Sequence, residues 1–224
     1  MNDVGRKIDI GGIFTAALND IGGNIGRYGG LAIALSIVGG LADTYDPRLG
    51  NFVANLMAFF MSVLAVYYTL QNKLGDDAIR PRFGAAFGYN LLSNLAIGFG
   101  LLLLIVPGLI LYTRWAVGLP ALLREDLSVS EAMGRSSSLT EGNRWRILGL
   151  GLLIWVPFLL VMMMAGGLSA AFAGEQILDT LPFNMLTNLA AGCATLFASV
   201  CWTEAYLSLS GEEESSNNLA EIFA

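Results

Sequence analysis

Runs of apolar residues, unbroken by charge and matched in length to a bilayer, dominate this chain. Leu49–Asn72, Ile147–Gly174 and Thr180–Thr203 contain no charged residue, and Phe83–Leu123 contains only Arg114. A helix needs roughly 20 apolar residues to cross ~30 Å of hydrocarbon, so these runs predict membrane helices. Six segments follow, at about 28–45, 51–71, 88–106, 109–124, 146–172 and 182–208. The first is the shortest charge-free run, bounded by Arg27 and Asp43, whose heads would reach toward water at its ends. The third and fourth are separated at Val106-Pro107-Gly108, because proline removes a backbone donor and disfavours helix in the residue before it. Each arm is short, so this hairpin either spans the membrane or re-enters it.

Three polar stretches preceding membrane pairs carry helical stripes of their own. Phe14, Leu18, Ile21, Ile25 and Tyr28 recur at helical spacing in the first. Phe83, Phe87 and Leu91 do so after Arg80 and Arg82 in the second. Ser128 and Glu131 predict a capping box at the start of the third, which bears Met133, Arg135 and Ser136. The expected fold is therefore an all-α integral membrane protein. Its segments form a six-membered bundle, with three short cytoplasmic amphipathic helices at the interface, and the layout suggests a threefold repeat of this unit. Residues 1–27 form the N-terminal cytoplasmic segment, 28–208 the membrane domain and 209–224 an acidic cytoplasmic tail.

Charge supports that layout. With the N-terminus cytoplasmic, ten of the eleven Lys and Arg residues outside the membrane segments fall on the inner side, and only Arg48 falls outside. A single crossing over 83–123 would export the arginines from Arg124 to Arg146, so the hairpin is preferred. No apolar leader is expected in the first residues, which carry acids early. Location in a bacterial inner membrane, with both termini cytoplasmic, is the expectation.

Composition narrows the chemistry. Charged residues make up 13% and apolar ones 55% of the 224 residues, and the formal charge of −6 argues against a nucleic-acid partner. Histidine is absent, which removes the commonest general base and catalytic metal ligand. Cys193 and Cys201 lie about 12 Å apart along a helix, too far for a disulfide, and are read as buried small side chains. Asp43, Asp46, Asp76 and Asp77 are read as solvated charges, and Ser136–Ser138 have no base beside them to make a nucleophile. No metal or other cofactor is expected. Gly22, Gly26 and Gly30 form a small-residue row, as do Ala190, Ala194 and Ala198. Such rows suit close helix packing within the chain or in a homo-oligomer.

From Leu103 to Trp115 the sequence reads Leu-Leu-Ile-Val-Pro-Gly-Leu-Ile-Leu-Tyr-Thr-Arg-Trp, followed by Leu-Pro-Ala-Leu at 119–122. Ser-Glu-Ala-Met at 130–133 then leads to Leu-Thr-Glu-Gly-Asn-Arg-Trp-Arg-Ile-Leu-Gly at 139–149. This resembles the membrane domain that precedes some bacterial glycerophosphoryl diester phosphodiesterases, and related stand-alone inner-membrane proteins. The specific motifs lie within 103–149. The resemblance implies a membrane domain only: the family's phosphodiesterase activity belongs to a separate soluble barrel with acidic metal ligands and catalytic histidines, and the 224 residues contain no histidine.

Candidate site residues follow. Arg114, inside a membrane segment, costs at least ~2.5 kcal/mol near a helix centre. It is read as contacting an anion or lipid phosphate, as reaching the outer headgroups, or as bonding carbonyls freed near Pro107. Glu204, the acid within the last segment, is read as one half of a structural ion pair at the inner interface, with Arg124, Arg144 or Arg146 as the nearest cations. Arg135, Arg144, Trp145 and Arg146 form a basic-aromatic patch suited to headgroups. Pro107, Gly108 and Pro120 are read as structural turn and interface positions. The function expected is a non-catalytic membrane scaffold or partner in envelope lipid or glycerophosphodiester metabolism, contacting membrane lipid and a membrane-associated lipid enzyme. The alternative is a transporter of a lipid or small anionic solute, and an intramembrane enzyme is disfavoured.

Overall fold

The computed structural model describes residues 7–75, 78–173 and 180–211, without the side chains of 170–173. Among the described residues there are nine helices and no strand. They are α1 (Ile10–Gly23), α2 (Ile25–Tyr45), α3 (Pro47–Leu74), α4 (Phe83–Leu103), α5 (Ile105–Trp115), α6 (Gly118–Arg124), α7 (Val129–Leu139), α8 (Arg144–Ala173) and α9 (Leu181–Ser210). Six stretches are long and apolar enough to cross a membrane: α2, α3, α4, the α5–α6 stretch, α8 and α9.

Helix boundaries have local causes. Between α2 and α3 stands a single extended residue, Asp46. Its Oδ1 accepts from the Arg48 and Leu49 amides at 2.7 and 3.2 Å, and Pro47 opens α3 where no intrahelical N–H bond is needed. Arg48, expected in a loop, is therefore in the first turn of α3. The break expected at Val106-Pro107-Gly108 lies instead at Leu104, the single extended residue between α4 and α5. Pro107 sits in the first turn of α5, where its missing N–H costs nothing. Gly108 serves the neighbouring packing: a Cβ on Gly100 would lie 2.9 Å from the Gly108 backbone. The two glycines let α4 and α5 touch along their backbones. Pro120 occupies the first turn of the buried α6.

Phe83–Leu91 makes up the first turns of α4 and is not a helix of its own, because nothing breaks the backbone between it and the apolar run that follows. In α1, Ile13 and Ala17 are buried while Leu18 is exposed, as is Ile25 at the start of α2. Within α1 the buried stripe is thus rotated by one position from the predicted one, while Tyr28, its last predicted member, is buried. A Cβ added at Gly22, Gly26 or Gly30 would meet nothing within 4 Å beyond its own helix, so this row makes no close helix contact. Close approach falls on other small residues, chiefly Gly39 and Gly40 against Asn188 and Met185.

The chain forms two compact units. Among the described residues, one contains those up to Asn19, those within Val63–Leu150 and those from Ser199 on. Its core joins Val63, Val66 and Leu70 of α3 to Leu122 of α6, Ile147 and Leu150 of α8, and Val200 and Leu207 of α9. The other contains Asp20–Ser62 and Gly151–Ala198. There, Tyr28 and Leu35 of α2 are buried, Ser36 Oγ donates to the Met185 carbonyl at 2.7 Å, and Asn188 donates to Asp43 Oδ2 at 2.6 Å. Asp43 is thus tied to α9 and is not a freely solvated charge.

Large apolar side chains are exposed in quantity, among them Leu102, Leu103, Leu104, Ile105, Leu159, Val161 and Met163. Exposed apolar area of this extent is untenable in water and expected against lipid. The protein is a multi-pass membrane protein.

Candidate functional site

The polar groups of interest gather in the unit built from α4–α7 and the adjoining parts of α3, α8 and α9. After the buried α6 the chain turns through Glu125-Asp126-Leu127, with Asp126 in the left-handed region at φ 53°. Arg82 holds this turn twice, pairing with Asp126 Oδ1 at 2.9 Å and donating to the Leu127 carbonyl at 2.8 Å. Arg135 of α7 grips Glu125 through Nε, at 2.8 and 3.0 Å from its two carboxylate oxygens. Tyr206 of α9 donates to the same carboxylate at 3.0 Å. Glu125 therefore joins α6, α7 and α9.

α7 begins with the capping box expected at Ser128 and Glu131: each satisfies an amide of the other, the Ser128 amide reaching Glu131 Oε2 at 2.9 Å. These bonds hold the exposed Glu131 carboxyl below its ordinary range. One face of α7 then meets the end of α5. Arg114 Nε donates to Ser137 Oγ at 2.9 Å, and the Arg114 carbonyl accepts from Ser136 at 2.8 Å and from Thr140 at 3.4 Å. With the reversal at Leu104, Arg114 lies ten residues along α5, about 15 Å by helical rise. It reaches the α7 end of the unit, farther from the reversal than a turn at Pro107 implied. Carbonyls freed near Pro107 are not its partners.

Glu204 is almost fully buried and pairs with Lys73 Nζ of α3 at 3.0 Å. An ion pair was expected and is present; the cation at 3.0 Å is Lys73, which the sequence reading did not name. Arg146 donates to the Ile8 carbonyl at 2.7 Å, and the Ile8 amide donates to Asn143 Oδ1 at 3.1 Å, so the N-terminal segment is tied to the start of α8. The predicted patch is consequently divided: Arg135 serves the Glu125 turn, Arg146 serves Ile8, and Arg144 with the exposed Trp145 faces a cleft. That cleft, about 290 Å³, lies between α5 (Val106, Leu109, Ile110) and the first turns of α8 (Arg144, Trp145, Leu148).

A family model for the membrane domain of glycerophosphoryl diester phosphodiesterase matches residues 87–210, more than half of the chain. The chain belongs to this family. No curated protein and no solved structure matches it. The membrane-domain match runs from the first turns of α4 to the end of α9 and includes Glu125, the Arg114 cradle, Glu204 and the cleft. Lys73 and Arg82, which complete two of the ion pairs, lie upstream of it.

Within this membrane domain, no three His, Cys, Asp or Glu side chains among the described residues come together as a metal site. Asp76 and Asp77 lie outside the described residues. Both cysteines are free; Cys201 is buried as expected, whereas Cys193 is exposed. Sequence reasoning missed Glu125, because an acid next to Asp126 in a loop looks solvated. It also discounted Ser136 and Ser137 for want of a base and did not single out Thr140. The usable signal was their spacing, since residues four apart share a helix face and can cradle one carbonyl.

Proposed function

We propose that this protein is a non-catalytic scaffold of a bacterial inner membrane, with cytoplasmic termini, that partners a membrane-associated enzyme of envelope lipid or glycerophosphodiester metabolism. The observation that carries this reading is the engagement of Arg114. Its guanidinium and its carbonyl are both bonded to α7 hydroxyls, so the charge that best suited a transport path acts as a tie between helices. Lys73 and Glu204 are joined in the same manner. Membership of a family named for an enzyme's membrane domain, and the distribution of arginines along the chain, support the partner and the orientation.

The test is crosslinking in intact membranes, followed by identification of captured proteins, with Arg114→Gln as a second arm. Specific capture of one lipid-metabolising enzyme, unchanged in Arg114→Gln, is the expected result. Solute or lipid flux by the purified protein that disappears in a folded Arg114→Gln would replace the scaffold with the transporter.

A further inference from the structure

The cleft between α5 and α8 has the chemistry of a lipid site. Its α5 wall is apolar, and the Thr113 hydroxyl on that wall is turned back to the Ile110 carbonyl at 2.9 Å. One end opens beside exposed Leu104, Ile105 and Val106, surface of the kind that contacts hydrocarbon; at the other end stands Trp145, 86% exposed. Tryptophan with that exposure belongs at the headgroup level. From Val106 to Thr113 the α5 wall rises about 10 Å, against roughly 15 Å for half of a ~30 Å hydrocarbon core.

The decisive group is Arg144. Its Nε is buried and has no hydrogen-bond partner, whereas Arg82, Arg114, Arg135 and Arg146 each donate to a named oxygen. A buried guanidinium N–H without an acceptor is costly, and phosphate oxygens suit a guanidinium better than any neutral acceptor does. We propose that the cleft binds one acyl chain of an anionic diacyl phospholipid, whose phosphate accepts a hydrogen bond from Arg144 at the level of Trp145. The site stands whether or not the protein is a scaffold.

The experiment places a photo-crosslinking residue at position 110 of the full chain, in nanodiscs of phosphatidylcholine holding a minor fraction of phosphatidylglycerol. Crosslinked lipid should be enriched in phosphatidylglycerol over the bulk. Arg144→Gln should reduce that enrichment about tenfold, the loss of one charge-assisted hydrogen bond. Arg144→Lys keeps the charge without the Nε donor and should also lose most of it, which covers a glutamine variant that fails to insert. Arg80→Gln removes an exposed charge outside the cleft and should leave it intact. Crosslinked lipid of bulk composition in the unsubstituted protein, or undiminished enrichment in Arg144→Gln and Arg144→Lys, overturns the proposal. So does abolition of the enrichment by excess inorganic phosphate, which would assign the cleft to a small free anion.

Discussion

Removing Lys73 should damage the protein more than removing Lys73 and Glu204 together. Glu204 has a side-chain exposure of 2% and sits 3.0 Å from the ammonium, which is 24% exposed. In Lys73→Met the lysine position can adapt, but Glu204 cannot reach water and loses the cation 3.0 Å away, so it either stays charged with less compensation or takes up a proton. Breaking a buried pair from one side costs about 3–5 kcal/mol; the partial exposure of Lys73 places the expectation at the lower end, about 3 kcal/mol. For a chain of this size each kcal/mol moves the unfolding midpoint by ~2–4 °C, so a fall of roughly 6–12 °C is expected. Cys201 supplies the assay, being fully buried one helical turn from Glu204. In a Cys193→Ser background, a thiol-reactive fluorophore on a heating ramp reports the opening of α9. The double variant Lys73→Met, Glu204→Leu should recover most of the loss, since apolar replacement of a buried pair is close to neutral. Equal midpoints for Lys73→Met and the unsubstituted protein would show that the pair carries no buried charge and refute the reasoning.

Gly118→Ala should disrupt the start of α6, because its added Cβ would collide with the Tyr89 ring and hydroxyl, which donates to the Trp115 carbonyl; a loss of about 1–3 kcal/mol is expected from overpacking, read by the same thiol assay. Arg135→Gln should cost under about 1 kcal/mol, since that pair is part-exposed and Tyr206 still holds Glu125; a larger shift would mean that the turn depends on Arg135 alone. The Glu131 carboxyl is held low by Ser128. Its contribution is therefore complete above the ordinary carboxylate range and lost as pH falls through the lowered value. Amide exchange in α7 should accelerate in acid, and Glu131→Gln should remove that acid step.

The number and order of the membrane segments were legible because a nearly charge-free apolar run of bilayer length has little use outside a membrane. The capping box was legible for a similar reason, since Ser128 and Glu131 act on backbone three residues away. The position of the α4–α5 reversal was not. Pro107 reads as a breaker, yet a proline fits the first helical turn, and what selects Leu104 is the meeting of Gly100 with Gly108. Partners were less legible. Lys73 is 131 positions from Glu204, and Arg82 is 44 from Asp126. Only the packed helices bring them together, whereas the arginines named for Glu204 were chosen by their expected level at the inner interface. Arg144 and Trp145 were found as a pair by composition, but the cleft that gives them a use depends on α5 lying opposite.

The one-residue reversal at Leu104 also bears on how the chain enters the membrane during synthesis. At 11 residues, α5 measures about 16 Å, half of a crossing, and attains bilayer length only with α6 behind it. Its apolar surface gains a backbone partner only when Gly108 reaches Gly100. Until α6 follows, α5 is therefore expected to leave the insertion machinery packed on α4 as a hairpin. An intermediate halted between Leu103 and Gly108 would be exposed to quality-control proteolysis, and biogenesis rather than final stability would set the tolerance of positions 100 and 108 to substitution.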